Sequence, residues 1–160
     1  MKKRLSLALC LTLLLSLALP ALAADVVRSP QKLSVDGSAA DCEVYNIGGY
    51  NYFKLRDIAM LLRATGSRFS VDWDEQAQTI RVVTGAEYVP VGGELVKGAD
   101  KSDTAVPSRQ TLMIDGTRSS LSAWNIGDNN FFQLRALGDV LNFKVDYDSA
   151  TRTMLVDSVS

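Results

Sequence analysis

The residues of this sequence with the clearest potential for chemistry are carboxylates that flank an aromatic side chain. They occur in two groups, Asp72-Trp73-Asp74 and Asp146-Tyr147-Asp148. Carboxylates two residues apart on a strand point to the same face, so each pair could bind calcium or supply the two acids of a hydrolase. Calcium takes six or more oxygen ligands, and no compact Asp-rich loop provides them. We therefore expect these acids to lie on the solvent face of a half-buried strand, with a hydrolase as the alternative.

The composition narrows the chemistry further, because the sequence contains no histidine. This absence excludes Ser-His-Asp and Cys-His catalysis and any His-ligated zinc or copper. The 17 Lys and Arg residues are balanced by 18 Asp and Glu residues, which leaves no strong positive field for nucleic acid. We expect no metal site, no cofactor and no nucleic-acid partner.

Residues 1–23 have the pattern of a secretory signal peptide. Three cations at positions 2–4 precede an apolar run over residues 5–19. Small residues end the segment, and we predict cleavage after Ala23. An uncleaved anchor is the alternative, because a run of this length could just span a bilayer. The mature protein is expected to be secreted or extracytoplasmic, with the cell wall as a site of association and no membrane contact.

Cleavage after Ala23 leaves Cys42 as the only thiol, because Cys10 lies in the signal segment. One cysteine cannot close an internal disulfide. We expect Cys42 to fill space as a small apolar residue, and a disulfide between two chains is the alternative.

The rest of the chain contains the same ordered motifs twice. Three pairs of segments carry the repeat: Leu33-Ser-Val-Asp-Gly37 with Leu112-Met-Ile-Asp-Gly116, Asn51-Tyr-Phe-Lys-Leu-Arg56 with Asn130-Phe-Phe-Gln-Leu-Arg135, and Phe69-Ser-Val-Asp-Trp-Asp74 with Phe143-Lys-Val-Asp-Tyr-Asp148. Duplication is the simplest explanation. The expected organisation is a first repeat at 24–84, a hairpin or linker at 85–104 and a second repeat at 105–160. The sequence does not choose between a pseudo-two-fold and a tandem relation of the repeats.

Each copy is predicted to fold as β-β-α-β-β. Dipeptides that favour tight turns follow the first strand of each copy, at Asp36-Gly37 and Asp115-Gly116. The apolar residues then change to helical spacing, at Leu55, Ile58, Ala59 and Leu62. The expected fold class is α+β, with two tandem repeats that each form a small, mainly antiparallel sheet with one packed helix. The linker is expected to contain an extra hairpin that turns at Gly92-Gly93.

Arg56 and Arg135 occupy the same place in the two copies, one residue after the leucine that begins the helical spacing. An arginine could bind an anionic ligand through its bidentate fork. We instead expect each to tie its helix to the Asp-aromatic-Asp strand, since a specific site would not need to occur in both copies.

The best candidate for a ligand surface is a set of aromatic and amide side chains: Tyr50, Asn51, Asn129 and Asn130. Aromatic faces stack on sugar rings, and amides bond to sugar hydroxyls. Alternation along a strand turns about half of the neighbouring rings inward. Tyr50 is therefore the ring that we expect to be exposed.

In their order, the motifs resemble the copper amine oxidase N-terminal-like domain, also called the stalk domain. The segments that carry the resemblance are Val-Asp-Gly at 35–37, Tyr-Asn-Ile-Gly-Gly at 45–49, Asn-Tyr-Phe-Lys-Leu-Arg-Asp at 51–57, Phe-Ser-Val-Asp-Trp-Asp at 69–74 and Tyr-Val-Pro-Val-Gly-Gly-Glu at 88–94. The sequence departs from the family at Phe53-Lys54, where many members have Val-Pro. The resemblance implies an extracytoplasmic, non-catalytic module of exported Gram-positive Firmicutes proteins. It does not imply copper or oxidase activity, because a chain without histidine cannot build a three-His copper site.

The expected function is therefore a secreted, non-catalytic interaction or scaffolding module of the cell envelope. Its expected partner is a cell-wall polymer or another exported protein. The alternative is a cell-wall or glycan hydrolase that uses the Asp-aromatic-Asp carboxylates.

Overall fold

The computed structural model of the protein describes residues 24–159, so the predicted signal peptide lies outside the described residues. The elements of the first half are β1 (Val26–Arg28), β2 (Lys32–Val35), β3 (Ser38–Ala40), β4 (Val44–Ile47), β5 (Tyr50–Lys54), α1 (Leu55–Leu62), β6 (Phe69–Asp74) and β7 (Thr79–Thr84). After a short 3₁₀ turn at Ser102–Thr104, the second half contains β8 (Val106–Pro107), β9 (Thr111–Ile114), β10 (Thr117–Arg118), β11 (Ala123–Ile126), β12 (Asn129–Gln133), α2 (Leu134–Leu141), β13 (Phe143–Asp148) and β14 (Thr153–Ser158).

Each of the three sheets contains strands from both halves of the chain. The largest sheet is antiparallel, with strand order β1-β4-β5-β12-β11-β8. The two four-stranded sheets have the orders β10-β9-β7-β6 and β13-β14-β2-β3. In each of these, one parallel pair joins the two halves: β7 with β9, and β14 with β2. The fold is α+β, but the halves share their sheets, whereas the sequence predicted a separate sheet for each copy. Alternation along a strand indicates which face is buried and not which strand lies beside it.

Equivalent positions of the two halves meet where the sheets pass from one half to the other. In the antiparallel sheet, Phe53 on β5 lies opposite Phe132 on β12. The two parallel junctions also match each other, pairing Thr79 with Thr111 and Thr153 with Lys32. The two parallel junctions between the halves therefore have the same strand register.

The two Asp-Gly turns fasten each half to the last strand of the other half. Asp36 accepts hydrogen bonds from the amide of Ser158 at 2.7 Å and from its hydroxyl at 2.8 Å. Asp115 accepts the equivalent bonds from Thr84 at 2.9 and 2.7 Å. The glycine that follows each aspartate has a φ of +78°, which glycine adopts without steric cost. These turns therefore close both inter-half junctions.

The predicted order of elements omits three short strands from each copy. The omitted strands are β1, β3 and β5 in the first half and β8, β10 and β12 in the second. Gly48 and Gly49 form a two-residue hairpin turn with φ of +58° and +89°. A turn with two positive φ angles fits the twist of the strands that it joins. Strand β5 therefore follows at once and leads directly into α1.

The helical spacing correctly predicted α1 and its buried face. Leu55, Ile58, Ala59 and Leu62 are each at most 3% exposed. Both helices bury their apolar faces in one hydrophobic core that includes residues of both halves. Cys42 lies in the same core, and burial raises the pKa of its thiol to about 12. Its environment is that of a packed apolar side chain and not of a reactive thiol.

The linker between the halves does not form the predicted hairpin. Residues 85–101 contain no strand, and the chain folds around the carboxylate of Glu94 instead. This carboxylate accepts hydrogen bonds from the Tyr88 hydroxyl at 2.6 Å and from the amides of Val91 and Gly92 at 2.8 and 2.9 Å. Amides that bond to a side chain are not available for a strand ladder. The Tyr88 ring is 2% exposed, so it anchors the linker in the core.

The linker gives the fold a defined pH dependence. Desolvation by itself would raise the pKa of Glu94, but the hydrogen bonds from Tyr88, Val91 and Gly92 outweigh it and lower this pKa to about 2. The folded pKa lies below the ordinary value of 4.5. The carboxylate therefore stabilises the fold fully above about pH 4.5, and this stabilisation is lost as the pH falls towards 2.

We expect Glu94→Gln to lower the free energy of unfolding by about 1 kcal/mol at pH 7, because the charged acceptor is lost. Urea denaturation of both proteins between pH 7 and pH 2 measures this difference. It should shrink below pH 4.5 and be mostly lost at pH 2. A difference that stays constant over the whole range would contradict the role of the ionised carboxylate.

Candidate functional site

Two clefts lie at equivalent places along the junction of the two halves. The Trp73 cleft has a volume of about 390 Å³, and its lining includes Arg56, Asp72 and Trp73 from the first half and Gln110, Asn129 and Asn130 from the second. The Tyr147 cleft has a volume of about 290 Å³, and its lining includes Gln31, Tyr50 and Asn51 from the first half and Gln133, Arg135 and Tyr147 from the second.

The linings of the two clefts correspond position by position in the aligned repeat. The matched residues include Arg56 with Arg135, Trp73 with Tyr147, Asn130 with Asn51, Asn129 with Tyr50 and Gln110 with Gln31. The fold thus brings the candidate ligand residues of one half of the chain to the Asp-aromatic-Asp strand of the other half. Tyr50 and Asn51 lie in one cleft, and Asn129 and Asn130 lie in the other, so the four do not form one surface.

The exposed aromatic side chains are confined to these clefts. The sequence has five Phe, five Tyr and two Trp residues, and all of them lie in the described part of the chain. Of these twelve aromatic side chains, only those of Tyr50, Trp73 and Tyr147 are exposed, at 59%, 39% and 38%. All three line one of the two clefts. The chain therefore presents its exposed rings only where amide side chains are close by.

In the Trp73 cleft, the amide groups are held by bonds to each other. The side-chain oxygen of Asn130 accepts a hydrogen bond from the Ser108 hydroxyl at 2.9 Å. Its amide nitrogen donates to Oε1 of Gln110 at 2.5 Å. The Asn130 side chain is therefore fixed within the cleft before any ligand is present.

In the Tyr147 cleft, the equivalent amides are arranged differently. Oδ1 of Asn51 accepts from Nδ2 of Asn46 at 3.3 Å and lies 3.4 Å from the Ser29 hydroxyl. Nδ2 of Asn51 points to the sulfur of Met154 at 3.5 Å. Oε1 of Gln31 is buried and has no hydrogen-bond partner among the described residues. The side-chain oxygen of Gln110 thus has a hydrogen-bond donor in the Trp73 cleft, whereas that of Gln31 has none among the described residues.

The two repeated arginines bond to the backbone of the Asp-aromatic-Asp strands. Nη1 of Arg56 donates to the carbonyl of Val71 at 3.2 Å, and Nη1 of Arg135 donates to the carbonyl of Val145 at 2.7 Å. Each arginine thus links the first turn of a helix to the neighbouring strand. Arg56 is half-buried, whereas Arg135 is exposed.

The carboxylates of the first Asp-aromatic-Asp group do not meet in one cleft. Asp72 lines the Trp73 cleft. The carboxylate of Asp74 instead accepts from the amide of Ala77 at 3.0 Å and pairs with Arg81 at 3.1 Å. Asp74 therefore stabilises the turn between β6 and β7.

The second group has a similar arrangement. Asp148 accepts hydrogen bonds from the Thr151 hydroxyl at 2.7 Å and the Ala150 amide at 2.9 Å, and these bonds lower its pKa. Oδ1 of Asp146 accepts from the amide of Tyr147 at 2.8 Å. Both acids are thus bonded to the backbone of their own segment, the role that Asp often takes beside a turn.

A buried charged cluster lies beside the Trp73 cleft. Nζ of Lys54 is 3.8 Å from Asp57 and 3.7 Å from Glu43. Asp57 is fully buried, and desolvation raises its pKa. Its Oδ1 accepts from the amide of Leu95, and Glu43 accepts from the amide of Gly98, so the cluster also holds the linker. The second half has the neutral residues Ser122, Gln133 and Ala136 at the positions of the three charged ones.

Several cleft residues were not among the sequence candidates: Gln31, Lys54, Gln110, Asp128 and Gln133. The recurrence of Gln31 as Gln110 at the spacing of the repeat is the one signal that could identify the glutamines. Lys54 and Asp128 carry no such signal, because their counterparts are Gln133 and Gly49.

Within residues 24–159, no three His, Cys, Asp or Glu side chains are grouped so that they could hold a metal ion. Over the same residues, neither helix has the length and apolar character that crossing a bilayer requires. Comparison of the chain with models of protein families, with curated proteins and with solved structures finds no significant match.

Proposed function

We propose that this protein is a secreted, non-catalytic binding module of the cell envelope, whose ligand sites are the Trp73 and Tyr147 clefts. The observation that carries the proposal is the position of the three exposed aromatic rings, all of which line these clefts. Exposed rings beside amides are suited to the faces and hydroxyls of sugars. A cell-wall polymer is therefore the first candidate ligand, and another exported protein is the second.

We further propose that the chain is a pair of stalk-type repeats, at 24–84 and 105–160, that exchange strands about a pseudo-two-fold relation. The equal registers of the two parallel junctions support this, as does the pairing of Phe53 with Phe132. The exchange explains why each cleft is lined by both repeats. Ligand sites that occur twice suit a polymer with repeated units, since two weak contacts on one chain reinforce each other.

Binding without turnover is the better proposal than hydrolysis by the Asp-aromatic-Asp carboxylates. A glycoside hydrolase needs two carboxyl groups that flank the bond to be cleaved. Asp74 bonds to Ala77 and Arg81, away from the cleft that Asp72 lines. The Asp72 and Asp74 carboxylates therefore do not face a common substrate position.

Retention of residues 24–160 on purified Gram-positive cell-wall sacculi tests the proposal. We expect the wild type to sediment with sacculi and the double variant Trp73→Ala/Tyr147→Ala to lose about tenfold or more in affinity, because both clefts lose a ring. The matched control is Val89→Ala/Val106→Ala, which removes two exposed apolar side chains outside the clefts and should bind like the wild type. Failure of the wild type to bind would contradict a wall polymer as ligand and would direct the search to exported proteins.

A further inference from the structure

We propose that the Tyr147 cleft is a site for an acidic sugar, meaning a pyranose ring that carries a carboxylate. The inference deepens the proposed function, on which it rests. It assigns acidic sugars to the Tyr147 cleft and no preference for acidic sugars to the Trp73 cleft.

The first argument is the charge of the two linings. Arg135 is the one charged residue among the described residues that line the Tyr147 cleft. The Trp73 cleft has two cations, Lys54 and Arg56, and two acids, Asp72 and Asp128. An anion therefore meets Arg135 and no carboxylate among the described lining residues, whereas in the Trp73 cleft it also meets two carboxylates.

The second argument is the exposure and hydrogen bonding of the two arginines, Arg135 and Arg56. The exposed Arg135 makes one hydrogen bond to a described residue, through Nη1 to the carbonyl of Val145. A guanidinium has five N–H donors in a planar fork, so Arg135 can hold this carbonyl and a ligand carboxylate together. Arg56 is less exposed, and the lining of its cleft also contains the acids Asp72 and Asp128.

The third argument is the pair of rings. Tyr50 and Tyr147 both line the Tyr147 cleft, and Tyr50 has the larger exposed fraction of the two. In the Trp73 cleft, Asn129 takes the place of Tyr50, so one exposed ring remains. Two aromatic faces offer the apolar side of a sugar ring more contact area than one.

The fourth argument is the unsatisfied acceptor. Oε1 of Gln31 is buried without a partner among the described residues, and a buried acceptor of this kind costs stability until a donor reaches it. A sugar hydroxyl supplies such a donor. The equivalent Gln110 already accepts from Asn130. The Tyr147 cleft therefore combines a cation, two rings and an unpartnered acceptor, which match the carboxylate, the ring face and the hydroxyl of an acidic sugar.

Nuclear magnetic resonance titration of isotope-labelled residues 24–160 tests the inference. Two carboxylated probes distinguish the source of the acid: tetragalacturonate, a chain of uronic acids, and sacculus glycan strands freed of peptides, which carry lactyl ether carboxylates. Chitotetraose is the neutral control. We expect one or both carboxylated probes to shift the amide signals of Tyr50, Arg135 and Tyr147 and to bind at least tenfold more tightly than chitotetraose.

Matched variants locate the site. Arg135→Gln and Arg56→Gln each remove the same type of bond to a strand carbonyl, so they control for each other. We expect Arg135→Gln to weaken the carboxylated probe at least tenfold and Arg56→Gln to weaken it less than twofold. Tyr147→Ala should likewise weaken binding of the carboxylated probe more than Trp73→Ala does. The amide spectrum of each variant shows whether it is folded.

Three results would overturn the inference: equal affinity for chitotetraose, greater sensitivity to the Trp73-cleft variants, or no binding of either carboxylated probe. Retention on sacculi that depends on Trp73 alone would overturn it and leave the proposed function standing. Binding of tetragalacturonate without retention on sacculi would support the acidic-sugar site and remove the cell wall as its ligand.

Discussion

Residues 24–104, produced without the second half, will not fold as a monomer. Alone, β2 loses its partner β14, β7 loses β9 and β5 loses β12. The fragment would expose three sheet edges and the part of the core that the other half covers. Circular dichroism with analytical ultracentrifugation should show an unfolded monomer or a self-associated species.

Reconstitution is the control for the fragment experiment. An equimolar mixture of residues 24–104 and 105–160 should recover sheet structure and form a one-to-one complex, because all inter-half pairings become available again. The cut after residue 104 leaves the linker on the first half, where it contacts Asp57 and Glu43. A monomeric 24–104 fragment with cooperative unfolding would contradict the shared sheets and favour the separate sheet for each copy that the sequence predicted.

Phe132→Ala will cost the protein about 4 kcal/mol of unfolding free energy, the usual loss for a phenylalanine removed from a packed core. Phe132 is 1% exposed and lies opposite Phe53, which is fully buried, at the centre of the six-stranded sheet. Both rings belong to the core that the two halves share. Since small proteins are stable by about 5–15 kcal/mol in total, this is a large fraction. Urea denaturation at fixed pH measures the loss directly.

Two further variants make this result specific to the junction. Phe132→Leu keeps most of the buried volume and should lose clearly less than the alanine variant. Val106→Ala truncates a side chain that is 53% exposed on the edge strand β8 and should change stability by less than about 0.5 kcal/mol. A loss below about 1 kcal/mol for Phe132→Ala would show that the centre of the sheet is not closely packed.

The sequence by itself determined the local elements of this protein. The change from alternating to helical spacing at Leu55 predicted α1, and the same residues are buried. The Asp-Gly dipeptides predicted tight turns, and both occur. These features depend on a few adjacent residues and their backbone angles, so they can be predicted without knowledge of the rest of the chain.

The linker is a feature that local pattern predicted incorrectly. Val-Pro-Val followed by Gly-Gly favours a hairpin, yet the side chain of Glu94 binds the amide of Val91, which would pair across such a hairpin. The carboxylate competes with the strand ladder for the same donors. The alternation of apolar and polar residues in the linker does not indicate whether an amide will bond to a side chain or to a neighbouring strand.

The partners of the strands were decided by the tertiary structure alone. Backbone hydrogen bonds join β2 to β14 and β7 to β9, and a backbone ladder carries no information on which strand it will pair with. The sequence identified Tyr50, Asn51, Asn129 and Asn130 as candidates but could not place them in two clefts opposite Tyr147 and Trp73. Each cleft exists only because strands of one half lie beside strands of the other. The residue types are a property of the sequence, whereas the contact between residues 56 to 97 positions apart in the chain depends on how the whole core closes.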